Sequence, residues 1–364
     1  MNQKLRIMSF AGAAVAALSF GLAVSVAPAV ADVAGEAPAK AKRPDLTGFW
    51  TNASLTPLSR ARGVSDLVVD EETAKKIAAS TAVAGISSED PDFNDTGYSD
   101  PNKGAPEKGG SDFGLKGYDK FWVTPGDNLA KVKGEYRTSY IVDPPNGQIP
   151  FTAAAKPVLA ERAKGGVRYV TGIGGNAGPE DTNISERCLI GFGQTGGPGM
   201  LSVLYNNTHQ IVQSPGYVTI VVEMAHDARI VPIFDTAEEA RANHKPSAIK
   251  PWLGDSVGWY EDNALVIETR NVNPQQQAAG AFPMTDKTVV TERLTRYSPD
   301  EIFYTFTVED PVLYSQPWKA ELSFYPAQGR QFEYACHEGN YAMPGMLLGE
   351  RLKEWETQEA KAKK

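Results

Sequence analysis

From residue 208 to residue 336 the chain is a succession of nine short segments in which apolar and polar residues alternate, most of them separated by turn-forming residues. The segments are THQIVQ (208–213), YVTIVVEM (217–224), ARIVPIF (228–234), SVGWYE (256–261), ALVIETRNV (264–272), KTVVTERLTRY (287–297), EIFYTFTVE (301–309), WKAELSFY (318–325) and QFEYAC (331–336). A period of two sends successive side chains to opposite faces of an extended strand, so each segment has one face to bury and one to expose. Ser214-Pro215-Gly216, Asp262-Asn263, Ser298-Pro299-Asp300 and Gln328-Gly329 supply turns. Consecutive strands on short connections pair antiparallel, and a sheet of this size curls or folds over rather than leave two long edges open. The pattern predicts a mainly β fold, an antiparallel meander closed into a barrel or a sandwich.

The first half of the chain carries little of this periodicity. A short strand is expected at Leu46-Thr47-Gly48-Phe49-Trp50, and a helix opening on Asp70-Glu71-Glu72, acids at its positive end, and running through Ala79. A further strand is expected over 136–142, ended by Asp143-Pro144-Pro145-Asn146-Gly147, and a helix capped by Thr152 over 153–164. Residues 85–117 and 165–200 are rich in Gly, Asp, Asn and Pro and read as irregular. Residues 46–351 therefore form one β-rich domain with a few short helices and a long irregular N-terminal half. Residues 352–364 make a charged C-terminal helix or tail.

Lys4 and Arg6 precede a charge-free run of small apolar residues, Ser9–Val26, and Ala29-Val30-Ala31 before Asp32 satisfies an A-x-A cleavage site. This predicts an export signal over 1–31, cleaved after Ala31, a flexible linker over 32–45, and a periplasmic or secreted mature protein. The alternative is an uncleaved anchor. Because 1–31 holds two cations and no anion, its removal takes the net charge from −8 to −10. A chain this acidic lacks the cationic surface that nucleic acid or an anionic membrane requires, which leaves a small molecule as the expected partner. The sequence leaves oligomeric state open. Cys188 and Cys336 are the only cysteines. In an oxidising compartment they read first as one disulfide, with free buried thiols or a zinc pair as the alternatives.

Glu223, Glu268, Glu292, Arg293, Glu309, Glu321 and Glu333 recur along the strands. They read either as a solvated outer face or as the lining of a polar ligand pocket inside a barrel. Met224-Ala225-His226-Asp227-Ala228-Arg229 places a histidine, a carboxylate and a cation at the junction of two strands. A histidine so oriented can move protons. Cys336-His337-Glu338-Gly339-Asn340-Tyr341 is the second such motif. A Cys188–Cys336 bridge would draw Arg187 to His337 and Glu338, because bridged Cα atoms sit about 5.5–6 Å apart. His209 and His244 have no comparable company and read as structural or exposed. A metal site of His226, His337 and a carboxylate is the weaker reading, since no local spacing sets two ligands on one element.

Several of these motifs recur together in one order: Ser185-Glu186-Arg187-Cys188, Glu223-Met224 with His226-Asp227-Ala228-Arg229, Trp252-Leu253-Gly254-Asp255-Ser256, Phe306-Thr307-Val308-Glu309-Asp310-Pro311, and Tyr334-Ala335-Cys336-His337-Glu338-Gly339-Asn340-Tyr341. With them the chain resembles a large family of uncharacterised exported bacterial proteins. The resemblance implies that both cysteine motifs and the His-Asp-Ala-Arg motif belong to one design. In strand order and in its opening Leu-Thr-Gly-Phe-Trp the chain is also similar to lipocalin-like barrels.

Two functions follow as expectations. The first is a cofactor-independent lyase or hydrolase acting on a small organic molecule, aromatic or carbohydrate. His226 would be its base, oriented by Asp227, with Arg229 or Arg187 holding an oxygen, His337 and Glu338 as the acid, and Glu223 and Tyr341 contacting substrate. The second is a non-catalytic barrel that binds a hydrophobic or aromatic ligand, for which six Trp, fourteen Tyr and fourteen Phe supply the means.

Overall fold

The computed structural model describes residues 43–81, 124–171 and 177–363, and the side chains of all of these except 164–171. The export segment, most of the linker and the loop 85–117 lie outside the described residues.

The strands are β1 (Gly48–Thr51), β2 (Val68–Val69), β3 (Lys131–Val132), β4 (Glu135–Arg137), β5 (Ile141–Asp143), β6 (Thr208–Ser214), β7 (Tyr217–Val222), β8 (Ala228–Phe234), β9 (Asp255–Glu261), β10 (Ala264–Arg270), β11 (Val289–Ser298), β12 (Glu301–Glu309) and β13 (Trp318–Pro326). The helices are α1 (Glu71–Ala79), α2 (Ala155–Thr171), α3 (Ala237–Ala242), α4 (Pro274–Ala279) and α5 (Ala342–Ala362). β6 to β13 follow one another around a ring, and β1 pairs with both β6 and β13 to close it into a nine-stranded barrel. The four residues GFWT thus remove both edges, the closure a long meander needs. β5 adds to β13 outside the ring, and β2, β4 and β3 form a separate small sheet.

Three expectations about the strands change. The single strand expected over 136–142 is two, β4 in the small sheet and β5 beside β13. The pairing of β8 with β9 is parallel, because the connection of twenty residues carrying α3 returns the chain to the end it left. Residues 331–336 form no strand: they cross one end of the barrel as an extended segment held by side chains. α1 is capped as expected, Asp70 accepting from the Thr73 N–H at 2.8 Å. α2 runs past Gly165-Gly166 to Thr171 and holds Pro157 in its first turn, where a missing N–H costs nothing. α5 begins ten residues before the expected tail.

The period-two pattern puts the apolar face inside. Val218, Ile220, Val222, Leu265, Ile267, Leu294, Ile302, Tyr304, Phe306, Trp318, Leu322 and Phe324 are each at most 1 % exposed. Each fully buried large side chain contributes about 1.5–3 kcal/mol. The interior is therefore a packed core, and the reading of a ligand-lined polar interior gives way to it. The strand acids that face outward are of two kinds, solvated ones such as Glu309 and covered ones such as Glu268.

The end of the barrel where β6, β8, β9, β11 and β13 begin is closed by the glycine-rich segment 190–201. Gly197 and Gly199 both have left-handed φ, +86° and +76°. A Cβ at Gly197 would stand 2.9 Å from the Arg229 Cζ, and one at Gly199 3.1 Å from the Phe306 ring. Only glycine lets the backbone pass this close to the core while turning that way.

Candidate functional site

The closed end gathers most of the residues singled out in the sequence. β7 ends at Val222, and Glu223 starts a tight 3-10 turn, Met224–His226, in which Ala225 and His226 take positive φ of 55° and 53°. The turn exposes His226 and buries Asp227 beneath it. The segment after β13 lies across it: Gln331 Nε2 donates to the carbonyls of Thr208 and Val221, Phe332 N–H to Glu223 Oε1 at 3.3 Å, and Tyr334 N–H to His226 Nε2 at 2.9 Å. Two residues on, Cys336 is bridged to Cys188 with Cα atoms 5.8 Å apart. Asn340 adds a second tie by donating to the Glu186 carbonyl at 2.6 Å. The disulfide expected from the sequence is present, and it does bring the Arg187 and His337 motifs together.

The individual side chains stand as follows. His226 Nε2 accepts from a backbone N–H, so the lone pair that a base would use is engaged. His337, Glu338 and Tyr341 are exposed, Tyr341 at 83 %. Arg187 is half-buried and ties its loop to α4 by donating to Gln275 Oε1 at 3.1 Å. Glu223 is 5 % exposed and accepts from Asn206 and Phe332, which makes it a tether between segments. Arg229 lies in the core rather than beside His226 as an oxygen holder. Its Nη1 and Nη2 meet Glu292 Oε2 and Oε1 at 2.6 and 3.0 Å, and both side chains are at most 2 % exposed. Burial alone would lower the Arg229 pKa, but the Glu292 carboxylate outweighs it and holds the guanidinium above its ordinary value. Glu292 Oε1 also accepts from Tyr304 Oη and, at 3.2 Å, from the Gly199 N–H, while Tyr304 Oη accepts from Met200 N–H at 2.9 Å. Burial, and then the Glu292 charge, push the Tyr304 hydroxyl well above its usual range, so it stays protonated and donates.

Asp227 is the carboxyl of this end that stands apart. Its Oδ2 accepts from the Gly191 N–H at 2.8 Å. Burial pushes its pKa up to about 6, against smaller opposing effects of that N–H and of the His226 charge. Gly191 and Gly196, which press on Asp227, also line a cavity of ≈ 20 Å³ together with Ser185, Gln194 and Gln276. That is room for one water. The Ser185 hydroxyl has no hydrogen-bond partner among the described residues. Asp227 does not itself line this space, but Gly191, which donates to it, does. A carboxyl that titrates near neutrality can accept or deliver a proton.

The sequence reading missed the partner of Arg229 and the closing role of the glycine segment. A signal for the first was present, since Glu292 falls in register with Val290 and Leu294 on the apolar face of its segment, where an acid needs a buried cation. Among the described residues no group of three His, Cys, Asp or Glu side chains is placed to hold a metal ion.

His244, read as structural or exposed, proves to be a clamp on the outer wall. Its Nδ1 is 2.8 Å from Asp255 Oδ2 and its Nε2 3.4 Å from Glu268 Oε1, an ion-pair contact without hydrogen-bond alignment. Burial opposes the charged ring, but the two carboxylates outweigh it and raise the His244 pKa. For Glu268 burial is likewise outweighed, by His244 and Arg241, and the pKa falls to about 2. The raised histidine contributes stability in full below its unfolded value of 6.5 and loses it as pH rises through the folded value. The depressed Glu268 contributes above its ordinary 4.5 and loses it as pH falls toward 2. Thermal unfolding against pH should therefore show a decline above pH 6.5 that His244→Gln abolishes. An unchanged decline in the variant would remove this role.

The fold is a closed, filled nine-stranded barrel, and most of the residues singled out in the sequence lie at its capped end rather than in its lumen. Comparison of the chain with protein-family models, with curated proteins and with solved structures finds no match. No helix among the described residues is long and apolar enough to cross a membrane.

Proposed function

We propose that the protein is an exported, periplasmic enzyme, a hydrolase or lyase, that performs general acid–base chemistry on a small organic molecule at the capped end of the barrel. Asp227, rather than His226, is its proton-transferring group. The observation that carries this reading is a buried carboxyl with a pKa of about 6 whose described hydrogen bond is one backbone N–H, that of Gly191, a residue lining a space for one water. At pH 7 such a group is mostly ionised and serves as base; the conjugate acid can return the proton. The Arg229–Glu292–Tyr304 network supports it from below by anchoring Gly199 and Met200 in the segment that covers Asp227. The disulfide supports it from above, and also suits an oxidising compartment. The reading invokes no cofactor.

The raised pKa has a cost that tests the assignment. Between pH 3.8 and about 6 the folded state binds the Asp227 proton and the unfolded state does not, so stability falls as pH rises through that window. Asp227→Asn keeps an acceptor for the Gly191 N–H and removes the buried charge. It is expected to stabilise the protein at pH 7 on the order of 2 kcal/mol, with no gain below pH 4, while lowering turnover on the order of 10²-fold or more. Turnover is followed on a panel of small aromatic and carbohydrate compounds, and wild-type kcat is expected to rise through pH 6. His226→Ala should keep turnover within about tenfold, because its ring nitrogen is already engaged. Full turnover in Asp227→Asn, or its loss in His226→Ala alone, would reject the assignment.

A further inference from the structure

Pro232 opens the barrel wall. The Val222 N–H donates to the Asp227 carbonyl at 2.7 Å and the Ile233 N–H to the Gly216 carbonyl at 2.8 Å. With the β7–β8 register, these bonds assign the backbone groups of Asp227, Arg229, Val231 and Ile233 to β7. Those of Ala228, Ile230 and Pro232 consequently face β9. Proline has no N–H to continue a ladder on that side. The pairing with β9 is confined to Ile233–Gly258 and Phe234–Trp259, and on the near side of Pro232 the strands part. The gap is a cleft of ≈ 150 Å³, with Arg229, Ile230, Lys245, Trp252, Asp255 and Ser256 in its walls.

Which polar groups in the cleft are already satisfied decides what it can take. Asp255 Oδ2 accepts from His244 Nδ1 and from the Lys245 N–H at 2.8 and 2.7 Å, and the Ser256 hydroxyl is paired with Thr269 at 2.8 Å. Asp255 Oδ2 and the Ser256 hydroxyl are thus engaged, and the other Asp255 oxygen, Oδ1, is ion-paired with the Lys245 ammonium. Arg229 Nε has no hydrogen-bond partner among the described residues. The Lys245 side chain is 57 % exposed, and its ammonium is ion-paired with Asp255 Oδ1 at 3.8 Å without a hydrogen bond. Arg229 Nε and the Lys245 ammonium keep donor capacity beyond the Asp255 pair, and by the β7–β8 register the N–H groups of Ala228 and Ile230 point toward the open strand edge. Ile230 and Trp252 offer apolar surface beside them.

We propose that this cleft binds a small monocarboxylate, its carboxylate held by Lys245 and the free strand edge and its apolar body against Ile230 and Trp252. Its volume matches that of a cavity able to hold a benzene-sized molecule, so the body is about six carbons or fewer. Ala228 in the cleft wall directly follows Asp227, and in naming a substrate class for that centre the proposal rests on the acid–base reading. Binding is nevertheless measurable without turnover.

The test titrates the full chain with benzoate and butyrate, and with benzamide and butyramide as uncharged matches of the same shape, following backbone amide resonances and calorimetry. Two variants at exposed positions leave the core untouched: Lys245→Met, and Ile230→Trp to fill the cleft. Saturable 1:1 binding of a carboxylate, at least tenfold tighter than its amide, is expected, with shifts at Ala228 and Ile230. Lys245→Met should weaken it about tenfold and Ile230→Trp abolish it. Equal binding of acid and amide, no saturable binding by wild type, or binding indifferent to both variants would overturn the proposal. Carboxylate binding as expected, with no turnover of any panel compound, leaves the proposal standing and removes the enzyme reading. Turnover that depends on Asp227 but ignores Ile230→Trp does the reverse.

Discussion

Reduction of the Cys188–Cys336 bridge, or the Cys188→Ser/Cys336→Ser double variant, is expected to lower the unfolding free energy by about 5 kcal/mol. The bridge closes a loop of 148 residues, and the chain-entropy treatment of so long a loop gives a restraint on the unfolded ensemble of that size. Against a total of about 5–15 kcal/mol for a domain, this decides how much native protein is present at 37 °C. The loss should also be directional. Segment 331–341 is held to the capped end by the bridge, by Asn340 on the Glu186 carbonyl and by the backbone contacts to Glu223 and His226. Amide exchange should therefore accelerate first in that segment and in 183–191, before the strands. Urea unfolding of oxidised and reduced protein measures the global effect. A difference under 1 kcal/mol, or exchange that accelerates first in the barrel strands, would mean that the bridge does not restrain this end.

Glu292→Ala is expected to destabilise by about 3–5 kcal/mol, because it strands the Arg229 guanidinium in the core and leaves Tyr304 Oη and the Gly199 N–H short of an acceptor. Arg229→Met together with Glu292→Leu should recover most of that loss, since an apolar pair of similar volume carries no desolvation cost. The double-mutant cycle, by chemical denaturation, is the measurement. If the double variant is no more stable than Glu292→Ala, the penalty comes from packing of the glycine segment and not from an unpaired charge.

These two expectations differ in how visible they were beforehand. The cysteine pair could be read from composition and compartment, because a covalent bond between the only two thiols needs no register. The Arg229–Glu292 pair joins residues 63 positions apart on β8 and β11, and nothing local connects them. Glu292 showed itself only as an acid among apolar neighbours. The His-Asp-Ala-Arg motif was legible as a cluster, but its division of labour was not: a tight turn with two residues at positive φ sends His226 out, Asp227 under the cap and Arg229 into the barrel. Four consecutive residues in sequence therefore enter three different dielectric environments.

What the sequence determined by itself is what depends on local periodicity and covalent chemistry. The alternation in eight of the nine segments specified strands and told which face turns into the barrel, although β9 and β10 are covered on the other face as well. Asp70 specified the start of α1, and the two cysteines their bridge. The tertiary structure alone decided which strands meet. It set β1 to close the ring, turned β8 and β9 parallel, and withheld a strand from 331–336 although its alternation was as good as its neighbours'. The physical reason is that alternation encodes a face and not a partner. Pairing depends on closure of the whole ring and on the length of each connection, and the last segment is excluded because β5 and β1 already share the edge of β13 that β12 leaves open.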